Sequence, residues 1–262
     1  MLKIAVPNKG RLSESTLDLF QKAGLKLEAG PERKLYALAL DRTVQVLFLR
    51  AQDIPEFVQD GVAHLGVTGE DIVQESGKAV KEVLDLQFGY CRLVVAVPDG
   101  SLIREPAAIA DGARIATSFP NLTRRYFDQL GKKVRIVEVS GATELTPHIG
   151  VADLVTDLTS SGSTLAMNGL REVATIVHST ARVVAARGKR YLMANVPKSK
   201  LDDVRRLLPG ISGPTIMDIL SHPELVAAHA VVDESAMLSI VNGLKALGAT
   251  GILVLPIERL VP

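Results

Sequence analysis

Apolar residues along the 262-residue chain gather in short runs, separated by stretches in which they recur every three or four positions. The runs, rich in Val, Ile and Leu, predict strands over Leu2–Val6, Val44–Leu49, His64–Val67, Arg92–Val97, Arg114–Thr117, Val134–Val139 and Ala152–Leu158. The periodic stretches predict amphipathic helices. Among them are Ser13–Ala23, capped by Ser13 and stopped by Gly24, and Leu122–Leu130, capped by Asn121 and stopped by Gly131. Strands alternating with helices imply βαβ units, a largely parallel sheet and ligands at the carboxyl ends of strands. A boundary is predicted at Arg187-Gly188-Lys189-Arg190. Beyond it the pattern reads strand Tyr191–Val196, helix Lys198–Leu208, a strand near Ala228–Val232, helix Ser235–Leu247 and strand Gly251–Ile257. With Thr215–Ile219 as a further strand, this is the βαββαβ order of a ferredoxin-like domain.

One stretch departs from plain alternation. GVADLVTDLTSSGSTL, residues 150–165, opens as a buried strand, yet Asp153 and Asp157 interrupt it, and six of the seven residues Thr159–Leu165 are Thr, Ser or Gly. Residues four apart on a strand share a face. Buried carboxylates are costly without partners, so two of them point to hydroxyl groups or a metal. The turn Thr159, Ser160, Ser161, Gly162, Ser163, Thr164 offers hydroxyls and backbone N–H groups, and a helix opening at Thr164 would favour an anion. Together these suit a sugar phosphate. An ordinary strand end followed by a capped helix is the alternative. The turn Pro7-Asn8-Lys9-Gly10-Arg11-Leu12 sets Lys9 and Arg11 after the first strand, where polyanions collect. Two solvated surface cations are the alternative there. Arg33 is a weaker cation candidate, and Asp71, in Gly66-Val67-Thr68-Gly69-Glu70-Asp71, either faces a ligand or helps cap a helix.

Composition narrows the classes. Thirty Lys and Arg against 29 Asp and Glu give a net charge of +1, so no global field favours nucleic acid or a membrane surface. The first apolar run, Leu2–Val6, is too short for a secretion signal, and a cytoplasmic location is expected. The single cysteine, Cys91, excludes an internal disulfide and a Cys-rich zinc site, and it reads as inert packing. The five histidines show no metal-binding spacing, and neither G-x-G-x-x-G nor a Walker loop occurs.

The motifs PNKGRL, VTGEDIV, CRLVVAVP, RIATSFPNLTRRYF, GATEL, GVADLVTDLTSSGSTLAMNGL, GPTI and LGATGILVLPIE together resemble the long, single-chain form of the ATP phosphoribosyltransferase family, over nearly the whole chain. The resemblance implies an α/β fold with two lobes similar to type II periplasmic-binding proteins: residues 1–90 plus 170–186 in the first lobe and 91–169 in the second. Residues 189–262 are expected to form an ACT-like regulatory domain. Family members of this form carry some thirty further helical residues before that domain, and here the connection is expected to be shortened at Arg182–Val183.

The implied reaction joins N1 of the adenine of ATP to C1 of phosphoribosyl diphosphate (PRPP), releasing diphosphate. The resemblance assigns Asp153 and Asp157 to the ribose hydroxyls or to Mg²⁺ carried by PRPP, and Thr159–Thr164 to the 5′-phosphate. Arg11 and Arg33 are expected to stabilise the leaving diphosphate. Lys9, Arg11, Asp71, Arg92 and Leu93 are expected near ATP. Gly213-Pro214-Thr215 and Ala249-Thr250-Gly251 match the family's surface for histidine as inhibitor, and homodimers assembling into homohexamers are implied. Two rivals fit parts of this pattern: a non-catalytic two-lobed protein binding a phosphorylated metabolite, and another phosphoribosyltransferase, such as a purine salvage enzyme. Purine salvage enzymes place two adjacent acids before the loop, whereas Asp153 and Asp157 are separated by three residues.

Overall fold

The computed structural model describes residues 1–28, 35–186, 188–208 and 213–257, with the backbone alone at Ser235. The chain divides into two compact units, Met1–Ala186 and Arg187–Pro262.

The first unit runs β1 (Leu2–Pro7), α1 (Arg11–Lys22), β2 (Tyr36–Leu38), β3 (Val44–Leu49), α2 (Ile54–Gln59), β4 (Leu65–Gly69), α3 (Glu70–Ser76) and β5 (Val80–Asp85). It crosses to β6 (Cys91–Pro98), β7 (Arg114–Thr117), α4 (Pro120–Gln129), β8 (Arg135–Glu138), β9 (Leu154–Thr159), α5 (Ser163–Met167) and β10 (Leu170–Ser179), and returns through β11 (Ala181–Ala186). The first lobe's sheet has the order β2-β3-β1-β4-β11-β5 and the second lobe's β10-β6-β9-β7-β8. Each sheet thus takes in the strand that has just crossed from the other lobe. β11 lies antiparallel between β4 and β5, and β6 antiparallel between β9 and β10. This corrects the expected boundary. Residues 170–179 belong to the second lobe, and the return to the first begins at Ala181.

Burial explains the continuous apolar runs. Leu93 to Val97 in β6 are all fully buried. Val94 and Ala96 pack with Ala116, Val155 and Leu165 on one face, and Val95 and Val97 with Ile109, Ile115 and Phe127 on the other. A strand covered on both faces loses the polar alternation of a half-exposed one. β5, VKEVLD, is an edge strand with only Val80 buried, so its apolar signal is weak and the sequence pattern passes over it. Two helix starts also shift. α1 opens at Arg11 behind Gly10, before Ser13, and α4 opens at Pro120, whose fixed φ suits the first helical position, before Asn121.

The second unit comprises β12 (Lys189–Pro197), α6 (Leu201–Leu207), β13 (Thr215–Asp218), β14 (Leu225–Asp233), α7 (Met237–Ala246) and β15 (Thr250–Pro256). Its sheet order β13-β14-β12-β15, antiparallel throughout, is ferredoxin-like. Leu192, Ala194 and Val196 of β12 and Val226, Ala228, Ala230 and Val232 of β14 face the helices, where Val204, Ile240 and Leu244 complete the core. Only residues 187 and 188 separate β11 from β12. Arg182–Val183, the expected site of shortening, lies inside the continuous strand β11.

Candidate active site

A cavity of about 480 Å³ lies within the first unit, where the two lobes meet. Its walls come from the turn after β1 (Pro7, Lys9, Gly10, Arg11, Leu12), the crossover Gly89-Tyr90-Cys91, and the end of β9 (Leu158, Thr159, Ser160). The volume is that of a small-ligand site. Parallel pairing of β1 with β3 and β4 sets the cationic turn at the carboxyl edge of the first sheet. β9, parallel to β7, sets the Ser/Thr loop at the corresponding edge of the second. The structure therefore brings together Lys9, Arg11, Thr159 and Ser160, which are about 150 positions apart in the chain. Lys9 and Arg11 are exposed and form no ion pair among the described residues.

The loop is held by its own groups. Thr159 Oγ1 accepts from Gly162 N at 2.7 Å, and the Ser161 and Ser163 hydroxyls bond at 2.9 Å. Gly162 sits in the left-handed region at φ 80°, which turns the chain into α5 at Ser163, one residue earlier than expected. A Cβ there would stand 3.0 Å from Glu172 Oε1. Ser160, Ser161, Ser163 and Thr164 remain exposed.

The two aspartates part company. Asp153 precedes β9 at its amino end, where its carboxylate takes Arg114 N at 2.8 Å and Arg114 Nη2 at 2.7 Å. The Arg114 guanidinium and N–H hold that carboxyl below the usual range. Four residues of strand, about 13 Å, separate it from Asp157, so Asp153 stands away from the loop as a structural ion pair. Asp157 lies at the loop end. Burial pushes its carboxyl above the ordinary value, the Leu158 N–H at 2.8 Å opposes this, and the neighbouring charge of Glu144 adds to the rise. Glu144 sits in a short 3-10 turn, Thr143–Leu145, entered through Ala142 at φ 51° and packed against β9. A non-glycine residue there costs on the order of 1 kcal/mol and marks a constrained position. The GATEL motif carried Glu144 without disclosing its role, because the proximity of Asp157 arises only in the fold. Among the described residues no three or more His, Cys, Asp or Glu side chains gather as a metal cage.

Arg92 is taken by Glu172 through two bonds of 2.8 and 3.1 Å, and by Thr175 at 3.3 Å. Leu93 is fully buried against Phe119 and Leu122, so its side chain is core. Asp71 is buried too; its Oδ1 accepts from the Ser179 hydroxyl at 2.5 Å, and burial raises its carboxyl above the ordinary value. Burial, and then the Asp71 charge, push the Cys91 thiol up to about 11. Arg33 lies outside the described residues. Tyr90, Ser15 and Ala51 line the cavity unannounced by any motif, and Tyr90 stacks on His178 with its hydroxyl 2.9 Å from Nδ1.

The model of the family described as ATP phosphoribosyltransferase matches residues 50–209. The chain belongs to that family. A second family model, described as the HisG C-terminal domain, matches residues 186–259. An ATP phosphoribosyltransferase from Gemmatimonas aurantiaca is 49% identical over 293 residues, and one from Natronomonas pharaonis 48% over 283, each match spanning all of both chains. Those matches exceed this chain's 262 residues by 31 and 21 positions, so the relatives carry segments without a counterpart here. The solved ATP phosphoribosyl transferase (HisG:HisZ) complex from Thermotoga maritima contains a chain 32% identical, with a TM-score of 0.63, covering 71% of this chain and 88% of that one. The enzyme is therefore an ATP phosphoribosyltransferase, which transfers the phosphoribosyl group of PRPP to ATP at the first step of histidine biosynthesis. No helix among the described residues is long and apolar enough to cross a membrane.

In the second unit, Gly213 and Thr215 line a cavity of about 340 Å³ with Tyr191, Met217 and His229. Thr250 opens β15, at the other edge of the sheet and three strand spacings away, at least about 14 Å. Thr215 and Thr250 do not meet within one chain.

Proposed function

We propose that the cavity between the lobes is where ATP and PRPP react. The observation that carries the reading is that one cavity is walled both by Lys9 and Arg11 and by Thr159 and Ser160. The Thr159–Thr164 turn takes the 5′-phosphate of PRPP through its hydroxyls and N–H groups. Asp157, with Glu144 beside it, takes the ribose hydroxyls. Lys9 and Arg11 bind the polyphosphates, and Arg11 stabilises the departing diphosphate. Adenine N1 already bears a lone pair, so the chain needs to align it and accommodate charge on the leaving group, not supply a strong base. Mg²⁺ entering on PRPP would supply further charge for the diphosphate; desolvated Asp157 and its acidic neighbour suit a cation held chiefly by substrate oxygens. Asp153 has no part in this.

The second unit binds histidine as inhibitor. Support comes from the Thr215 cavity and the Ala249-Thr250-Gly251 turn, at opposite sheet edges. Joining two copies edge to edge would complete one site from both, in keeping with homodimers and homohexamers. The enzyme works in the cytoplasm, where ATP and PRPP are made.

The test is Arg11→Ala, assayed by the absorbance of phosphoribosyl-ATP with Mg²⁺ present. Loss of one electrostatic donor to the developing charge is expected to lower kcat about 10²-fold. A raised KM with unchanged kcat would reduce Arg11 to ground-state binding.

A further inference from the structure

The lobes of the first unit are joined by more than their crossovers. Helix α4 begins behind Phe119, which offers no capping side chain. Its first N–H groups, which have no partner inside the helix, are satisfied from the other lobe. Glu75, near the end of α3, accepts from Asn121 N at 2.9 Å and from Leu122 N at 2.8 Å. The exchange is reciprocal. Asn121 Nδ2 donates to the Glu75 carbonyl at 3.0 Å, and Arg125 Nη2 donates to the Gln74 carbonyl at 2.8 Å. The second lobe thereby caps the last carbonyls of α3. An acid at one helix's N-terminus and a cation, Arg125, at the other's C-terminus are the favourable pairing for both dipoles, and the N–H bonds to a carboxylate are of the stronger, charge-assisted kind.

The placement gives this contact leverage. α3 follows directly from β4 in the first sheet, and α4 follows from β7 in the second. β4 adjoins β1, which ends in the cationic turn, and β7 adjoins β9, which ends in the phosphate loop. The separation of α3 and α4 is therefore tied to the separation of the two cavity walls. We propose that Glu75 is a positioning residue, a latch that holds the lobes at the spacing at which the Lys9–Arg11 turn and the Thr159–Ser160 loop face the same substrates. The proposal rests on the reading of the cavity as the active site. Releasing the latch lowers the fraction of molecules with closed lobes, and apparent affinity falls by that fraction for every ligand that spans the cleft. Saturating substrate restores closure, so kcat changes little.

Glu75→Gln, which keeps one acceptor, and Glu75→Ala test this, together with Arg125→Ala, which removes an exposed side chain from the opposite lobe should the Glu75 variants fail to fold. The expected result is that KM for ATP and for PRPP rise together, by about tenfold in Glu75→Ala and less in Glu75→Gln and Arg125→Ala, with kcat within about threefold of the parent. Amide hydrogen exchange at Asn121 and Leu122 should quicken in Glu75→Ala at unchanged global stability elsewhere in α4. Faster exchange with unaltered KM would make the contact a local cap and overturn the latch. A rise confined to one substrate would make Glu75 a direct contact of that ligand and overturn it equally. Exchange is read without substrate, so failure of the parent enzyme to form phosphoribosyl-ATP would count against the reading of the cavity alone.

Discussion

Gly162→Ala separates backbone strain from phosphate binding. At φ 80° an alanine meets the left-handed penalty of about 1–2 kcal/mol, offset by about 0.4–1 kcal/mol because the unfolded chain is stiffened. The net loss of stability is about 1 kcal/mol. Gly131, at φ 68° after α4 and with nothing within 4 Å of a built Cβ, carries the same penalty alone, so Gly131→Ala is the control. At Gly162 the new methyl also meets Glu172 Oε1 at 3.0 Å. That carboxylate is fixed by Arg92 through bonds of 2.8 and 3.1 Å and retreats poorly. The loop has to yield by a few tenths of an ångström. One lost hydrogen bond to a charged phosphate is worth about 1.5–3 kcal/mol, which corresponds to about 10–100-fold in affinity. Thermal unfolding is expected to show similar losses for both variants, with Gly162→Ala somewhat the less stable. Initial rates against PRPP concentration should show a KM raised about tenfold or more for Gly162→Ala alone, and an ATP KM moved far less. A PRPP KM within twofold of the parent, in a protein destabilised as expected, would refute the loop as the phosphate cradle.

The aspartates and the cysteine give two further tests. Asp157→Asn should raise the PRPP KM about tenfold, on the scale of one lost hydrogen bond to a charged group. Asp153→Asn should leave it unchanged and cost under about 1 kcal/mol in a denaturant titration, as for an exposed ion pair; equal kinetic losses would restore Asp153 to the site. A Cys91 thiol raised to about 11 is ionised at pH 8 in only about one molecule in a thousand, against about a quarter for an ordinary thiol. Iodoacetamide should therefore label native protein about two orders of magnitude more slowly than unfolded protein, with the rate climbing as pH rises toward 11, and labelling at the unfolded rate would exclude the shift.

The parts legible from sequence were those written in consecutive residues. The cationic turn after β1 and the Ser/Thr loop after β9 needed only a strand, its end and the small residues that follow. The carboxylate pair misled because the apolar run begins at Ala152 while the ladder begins at Leu154, which leaves Asp153 before the strand with Arg114. The full burial of Leu93 was likewise not written in its motif, because burial is settled by the fold. Contacts between distant residues left no local trace. Glu172 comes 80 positions after Arg92, and Glu75 lies 46 positions before Asn121. No periodicity spans such distances. β10 and β11 were seen only as a returning segment, because nothing local in an apolar strand states which sheet it joins.

The exchange of strands between the lobes bears on how the protein is made. β4 and β5 are complete when residue 85 leaves the ribosome, yet the strand that separates them ends at residue 186. At about 5–20 residues per second, roughly a hundred further residues take about 5–20 s. During that interval the first lobe presents two unsatisfied strand edges, the surface on which chains aggregate. The second lobe, contiguous from β6 to β10, lacks no strand and is free to fold while its neighbour waits. Synthesis order and folding order are thus reversed for the lobe that emerges first. A fragment ending anywhere before Ala181 would leave that lobe permanently open, whereas circular permutation that moves β11 next to β5 would let it close as it emerges.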